Sequence, residues 1–508
     1  MNQGKICVSV CAETSREMIE KIVAARLVAD IVEVRFDCLP PAEIDVLLGW
    51  LRDSGSERPV VFTFRSREQG GQRELTFTDR LKFWEKVMAE PLDRSVIDIE
   101  AESRLAVAIQ TNHIPRIISH HDFAGVPDDL AALFDGIAAA FDPDIVKIAI
   151  TATDIADTIE IWKLIERARD ASKQIIPIAM GEAGKWTRIL GPAHGAFLTY
   201  TSLDAGGETA PGQVTAKQLV ELYRAKELDR ATKVYGILGD PVSQSLSTFM
   251  HNPAFVSEGV NAVFIPFLVK DIRAFMHRMV RPQTREIELN FGGFSVTMPH
   301  KQTIMEHLDA IDPTAERIGA VNTVKIDEGR LTGYNTDAHG FITPLRSRFG
   351  EVKGAKAAVF GAGGAARACV YSLQQEGADV EVFVRNVDKA RPFAEEFGVR
   401  LFEIDEVRDG KLMADILVDT TPIGMSGTDQ SLFTADELKG VKFVYDLVTK
   451  PYDTPIIQEA KKANIPAIGG MEMLIAQGAK QFELWTGKPA PAAQMRNDIL
   501  ARFAELNK

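Results

Sequence analysis

Eight times between Lys5 and Leu203 a short run of apolar, often β-branched residues gives way to a segment of helical period. Few folds accept that alternation in so short a length. The runs end near Val10, Asp37, Ser66, Glu100, Phe123, Ile150, Gly181 and Leu203. Eight strands, each followed by a helix, within about 200 residues predict a (β/α)8 barrel, whose chemistry collects at the C-terminal ends of its strands.

The barrel cannot be the whole of a 508-residue chain, because one hydrophobic core rarely organises that length. We place the barrel at 1–226 and read the charge-rich stretch Val214 to Arg230 as a helix, with a boundary around Ala231 to Lys233. A mixed α/β lobe is predicted over 233–337, with strands at Val234 to Leu238, Ala262 to Val269 and Gly293 to Thr297 and a hairpin at Thr323 to Tyr334. From 338 to 473 the pattern is that of a dinucleotide-binding βαβ domain. The last stretch, 474–508, is helical and is predicted to pack back on the preceding lobe. The whole chain is α/β.

Acidic residues number 71 against 58 basic, a net charge of −13, which repels a nucleic-acid backbone. No run of apolar residues reaches the length of a membrane span, and the first residues lack the basic lead of a signal peptide. The four cysteines, Cys7, Cys11, Cys38 and Cys369, form no C-x-x-C pair and no metal-ligand spacing. We read them as reduced thiols and expect a cytoplasmic location, or a plastid one if a transit peptide has been removed.

Lys147 lies in DIVKIAI, an otherwise apolar strand. Alone it reads as a paired or snorkelling lysine. Desolvation there also favours a neutral amine, a nucleophile toward a ketone. The preceding strand ends in IISHHDF, which puts His121 at the barrel mouth as a proton carrier titrating near neutrality, while His120 points the other way. Glu33 and Arg35 (EVRFD), Arg65 (FTFRS), Asp98 (IDIE) and Arg188 (WTRIL) come from further strand ends, and Gln213 from an APGQ loop. Spaced arginines suit a substrate bearing a carboxylate.

These motifs resemble type I 3-dehydroquinate dehydratase over about residues 1–226. The resemblance implies that Lys147 forms a Schiff base with the substrate ketone and that His121 takes the alpha proton and assists loss of the beta hydroxyl. It also implies that Glu33, Arg35, Arg65, Arg188 and Gln213 hold the carboxylate and ring hydroxyls. Two positions depart from the family: Gln69-Gly70-Gly71 stands where Glu-Gly-Gly is common, and Thr209 replaces the loop serine near APGQ.

In the second half, GAGGAAR follows the strand KAAVF and precedes a helix, matching G-x-G-x-x-A at Gly361, Gly363 and Ala366. Backbone N–H groups around Gly361, Gly363, Gly364 and Ala365 can meet a pyrophosphate. The next strand ends in VRN instead of an acidic residue, so Arg385, with Lys389 beyond it, favours a 2′-phosphate and hence NADP.

Ser245 and Ser247 (SQSLSTFMHN), Thr297 and Lys301 (SVTMPHK), Asn322 (GAVNT) and Asp337 (GYNTD), with the later TTPIGM and YDLVTKP, resemble shikimate dehydrogenase over about residues 233–508. The resemblance implies a catalytic pair, Lys301 and Asp337. Ser245, Ser247, Thr297, Asn322 and Gln477 would bind substrate, and Thr421 and Gly470 would join the cofactor contacts. Ser295 stands where many bacterial members have asparagine, as in plant-type fused enzymes. The two resemblances together imply a bifunctional shikimate-pathway enzyme that turns 3-dehydroquinate into 3-dehydroshikimate and then shikimate, uses NADP, and needs no metal. Quinate as second substrate, a class I aldolase as first half, and a ligand-sensing regulator on the same folds are the rival readings.

Overall fold

The computed structural model describes residues 4–54, 58–89, 94–101, 104–109, 111, 114–408, 412–425 and 431–506. The chain divides into two compact units: Met1–Val234 with Gly239–Gln244 and Asn261–Phe291, and Tyr235–Leu238 with Ser245–Val260 and Gly292–Lys508.

In the first unit, eight parallel strands run in the order β7-β6-β5-β4-β3-β2-β1-β8. They are β1 (Lys5–Val10), β2 (Ile31–Arg35), β3 (Val60–Thr63), β4 (Ser95–Glu100), β5 (Arg116–His121), β6 (Ile145–Thr151), β7 (Gln174–Met180) and β8 (Leu198–Thr201). A hydrogen bond from Phe197 N to Ile175 O crosses the remaining seam, so the sheet closes on itself. Alternate side chains point inward. Cys7, Ile31, Val61, Ile117, Ile145, Ile176 and Leu198 form an apolar floor, and the outward residues pack under the helices. Strand β10 (Ala262–Leu268) and the residues after it also belong to this unit, held by Lys163 on Glu286 at 2.5 Å and by Trp186 edge-on to Phe267.

Two expectations need correction. The stretch 214–230 is not one helix: a single wide turn spans Gln218–Leu222, with Tyr223 N donating to Gln218 O. Its buried residues explain this. Ala216, Leu219 and Tyr223 keep helical spacing, but Ala225 and Leu228 fall off that face, so no one stripe can serve the whole segment. Second, Cys11 and Cys38 are joined in a disulfide, their Cα atoms 5.6 Å apart. Each follows the end of one of two adjacent parallel strands, and that adjacency brings together cysteines 27 residues apart. Cys7 and Cys369 are buried free thiols.

In the second unit β9 (Lys233–Gly239), β11 (Phe291–Val296), β13 (Thr323–Asp327), β14 (Arg330–Tyr334) and β12 (Ala310–Ile311) lie side by side in that order. A separate parallel sheet runs β17-β16-β15-β18-β19-β20. Its strands are β15 (Lys356–Phe360), β16 (Asp379–Val384), β17 (Arg400–Glu403), β18 (Ile416–Asp419), β19 (Phe443–Asp446) and β20 (Ala467–Ile468). Counted within the domain this is the order 3-2-1-4-5-6 of a doubly wound dinucleotide-binding sheet. The C-terminal helices Gly470–Thr486 and Ala492–Leu506 pack on helices Asp337–Phe349 and Ser247–Ser257. Asn507 and Lys508 lie outside the described residues. No described helix is long and apolar enough to cross a membrane.

Candidate active sites

Above the apolar floor of the barrel the inward positions turn polar, and most of these groups are paired with one another. Thr63 Oγ1 donates to Glu33 Oε1 at 2.9 Å, and Ser9 Oγ donates to the other Glu33 oxygen. Asp98 accepts from Ser119 Oγ at 2.6 Å, Arg65 Nη2 at 2.8 Å and Lys147 Nζ at 2.7 Å. Burial alone would raise the Asp98 pKa, but the Arg65 and Lys147 cations overcome it and bring the group down to about 2. Asp98 is thus a fixed anion at the centre of the layer.

Lys147 is buried, as its apolar strand implies, and it is also paired. Its Nζ sits on Asp98, 3.8 Å from Glu33 Oε1 and 4.3 Å from the centre of the Tyr200 ring. Two carboxylates orient the amine and compensate its charge. His121 departs from expectation. It does not titrate near neutrality but well below the ordinary histidine value, first through burial and then through the Arg65, Lys147 and Arg35 charges. Arg65 Nη1 lies 2.6 Å from its Nε2 and 2.7 Å from its Nδ1. The imidazole is therefore neutral at physiological pH, a base without a proton to give until it has taken one.

One cavity is lined by Glu33, Arg35, Arg65, His121, Lys147 and Arg188, together with Thr209 and Gln213. Arg188 stands on helix Lys185–His194, which follows β7, and not on a strand end. It is 2% exposed, and burial lowers its pKa to about 10. Its one hydrogen bond among the described residues goes to Pro211 O at 3.3 Å. Arg35, by contrast, is fully engaged: its Nε and Nη2 reach Asp37 at 2.9 and 2.7 Å, and Nη2 also reaches Gly70 O. Thr209 N donates to Gln213 Oε1 at 2.9 Å, and Gln213 Nε2 donates back to Thr209 Oγ1 at 3.2 Å, so the APGQ loop is braced by its own side chains. Of the further polar lining residues, Gln69, noted in the sequence only as a departure from the family motif, accepts from His121 N through Oε1 at 3.2 Å, and Tyr200 was not anticipated. Tyr200 occupies an inward position near the end of β8, and strand parity was its available signal.

In the second unit the residue after β11 reaches strand β9, Thr297 N donating to Leu238 O at 2.9 Å, and the end of β11 meets the residue before β13, Val296 N donating to Asn322 O at 2.7 Å. Lys301 Nζ lies 2.5 Å from Asp337 Oδ2. Asn322 Nδ2 donates to the other Asp337 oxygen at 2.8 Å and to Thr336 Oγ1 at 3.0 Å, with Gln477 Oε1 at 3.5 Å. Gly340 allows that gathering, because a Cβ there would fall 2.6 Å from the Gln477 Cβ and push the two helices apart. Ser245 and Ser247 sit at the head of helix Ser247–Ser257, whose Met250 lies against Gly478. Ser295 Oγ donates to Gln481 Oε1 at 2.9 Å, and so stands behind the site.

The dinucleotide loop fits its group. Gly361 has φ +108°, and a Cβ would fall 2.4 Å from Thr420 Oγ1. Gly363 and Gly364 are exposed with open space around them, at the N-terminus of helix Gly364–Gln375 and beside Ala365. Thr421 Oγ1 accepts from Ile423 N at 3.2 Å, and Gly470 is buried where a Cβ would meet Leu447 O. Arg385 and Lys389, past the end of β16, are exposed, and no ion pair holds the side chain of either among the described residues.

Three family profiles match the chain: type I 3-dehydroquinase at residues 6–230, shikimate dehydrogenase substrate binding domain at 237–324, and shikimate 5′-dehydrogenase C-terminal domain at 470–500. The chloroplastic bifunctional 3-dehydroquinate dehydratase/shikimate dehydrogenase of Arabidopsis thaliana is 33% identical over 96% of this chain and 83% of its own length. A shikimate dehydrogenase (NADP(+)) of Methanopyrus kandleri is 42% identical over 54% of this chain and 97% of its own. A solved dehydroquinate dehydratase and shikimate dehydrogenase from S. pombe aligns over 98% of both chains at 22% identity and a TM-score of 0.45. On the extent of the Arabidopsis match, this chain belongs to the family of bifunctional 3-dehydroquinate dehydratase/shikimate dehydrogenases.

Proposed function

We propose that the barrel removes water from 3-dehydroquinate through an imine on Lys147 and that the second unit reduces the product, 3-dehydroshikimate, to shikimate with NADPH. The observation that carries the first step is the convergence of Lys147, neutral His121 and the uncompensated Arg188 on one cavity. The Lys147 amine adds to the ketone and water leaves, so the iminium acidifies the adjacent C–H. His121 takes that proton and returns it to the departing beta hydroxyl, and hydrolysis of the conjugated imine restores the lysine. The net change is loss of one water. Arg188, a buried cation with no anionic partner among the described residues, takes the substrate carboxylate. Arg35, Arg65, Glu33, Thr209 and Gln213 orient the ring hydroxyls.

In the reductase, bound NADPH supplies a hydride to the ketone carbon. Lys301 donates a proton to the carbonyl oxygen as negative charge grows on it, Asp337 orients the ammonium, and Asn322 holds Asp337 in place. Ser245, Ser247, Thr297 and Gln477 bind the hydroxyls and carboxylate. Backbone N–H groups from Gly361 to Ala365 take the pyrophosphate, Arg385 and Lys389 the 2′-phosphate, and Thr421 and Gly470 complete the cofactor contacts.

Supplying 3-dehydroquinate and NADPH to the purified chain should yield shikimate. Borohydride added with 3-dehydroquinate should leave one adduct, on Lys147. Lys147→Ala should abolish the adduct and the first rate while leaving reduction of added 3-dehydroshikimate intact. Wild-type protein of unmodified mass after that treatment rules out the imine.

A further inference from the structure

Two buried polar atoms in the barrel cavity have no hydrogen-bond partner among the described residues: Arg188 Nε and the Tyr200 hydroxyl. Both side chains line the same cavity and are 2% and 3% exposed. A buried donor left unsatisfied costs about 1–3 kcal/mol, so a fold that keeps two of them beside one cavity is built around an acceptor that arrives from outside. The neighbouring acceptors are spoken for. Glu33 takes the Ser9 and Thr63 hydroxyls, and Asp98 takes Ser119, Arg65 and Lys147. The phenol stays protonated, since burial first and then the Glu33, Cys7 and Asp98 neighbours push its pKa well above the ordinary tyrosine value. It can therefore donate. A phenylalanine would fill the same space, give Lys147 Nζ the same ring at 4.3 Å and leave no orphan oxygen, so the hydroxyl is not there for packing.

We propose that Tyr200 is a substrate-binding residue of the dehydratase, its hydroxyl donating to the same carboxylate that the Arg188 guanidinium receives. Two features point to a carboxylate as the ligand group. Arg188 is a buried cation with no acidic partner among the described residues, and an anion with two oxygens can accept from both donors at once. The inference rests on the dehydratase function proposed above and adds to it a specificity contact.

The test is Tyr200→Phe in the full-length chain. The KM for 3-dehydroquinate should rise roughly tenfold, as loss of one hydrogen bond to a charged group implies, while kcat changes less than twofold and saturating substrate with borohydride still labels Lys147. The variant without ligand should melt at the same temperature as wild type or higher, because an unsatisfied hydroxyl has been removed, and should gain less thermal stability from added 3-dehydroquinate. A purely structural tyrosine predicts the reverse, a lower melting temperature and an unchanged KM, and that result overturns the proposal. A loss of kcat together with the Lys147 label also overturns it, by assigning the ring to the amine instead of the hydroxyl to the substrate. The rate of 3-dehydroshikimate reduction reports on the integrity of the preparation. Wild type that neither dehydrates 3-dehydroquinate nor forms the adduct removes the dehydratase reading itself, and this outcome is distinct from an active wild type with an indifferent Tyr200→Phe.

Discussion

His121 shows how strongly one side chain's chemistry depends on residues from other strands. Its neutral form persists far into acid because burial and three cations oppose protonation. A base held in this way keeps working as pH falls through 6.5, the ordinary histidine value, and fails only at the lower, shifted value. The dehydratase kcat/KM should therefore stay flat through pH 6.5, and a half-drop at that pH in a pH–rate profile would show that His121 is not so perturbed. His121→Asn should cost roughly 10² to 10⁴ in kcat while leaving borohydride labelling of Lys147 intact. Strand parity read from the sequence was enough to bring Glu33, Arg35, Arg65, His121 and Lys147 to one mouth. The Asp98 contacts to Lys147 and Arg65 were not legible, because they depend on how far each side chain reaches toward the next strands inside the barrel. Tyr200 obeyed the same parity, but an aromatic ring in an apolar strand reads as core until its hydroxyl is seen to lack a partner.

Among the elements, the dinucleotide-binding sheet was the easiest to recognise. KAAVF, the glycine loop and VRN each announce a strand end or a turn by residue type, and parallel pairing then sets β16 beside β15. Arg385→Ala should raise the KM for NADPH roughly 10- to 100-fold through loss of a charged hydrogen bond, with little change for NADH. Equal losses with both cofactors would reject the 2′-phosphate contact. The far side of the same sheet holds a pair that sequence patterning does not reveal. Asp419 and Asp446 are register partners at the ends of β18 and β19, and both are fully buried. Burial first, then the neighbouring Asp446 carboxylate, raises Asp419 to about 7; burial raises Asp446 to about 6. A carboxyl raised in the folded state stabilises most below its unfolded value near about 4, and that contribution is lost as pH rises through about 7. Asp419→Asn should accordingly melt higher than wild type at pH 8, and its advantage should shrink at pH 5. Parallel melting curves at the two pH values would contradict the assignment.

At the scale of the molecule, the alternation of strands and helices made both folds legible, whereas features made by spatial neighbours were hidden. The Cys11–Cys38 bridge is the plainest case: no cysteine spacing marks it, and the closeness of β1 and β2 makes it. Closing a loop of 27 residues stabilises by about 3.5 kcal/mol in the chain-entropy account. Reductant, or Cys38→Ser, should therefore lower the barrel's melting temperature while leaving that of the dinucleotide-binding domain unchanged, and a calorimetric trace with no change in either transition would argue against the bridge. Arg188 has a consequence of another kind. A positive charge held in the dark with no counter-ion among the described residues makes the empty barrel the less durable form, and an anion that settles there shifts the balance between folded and unfolded chains. A barrel holding its substrate anion is therefore the harder one to unfold.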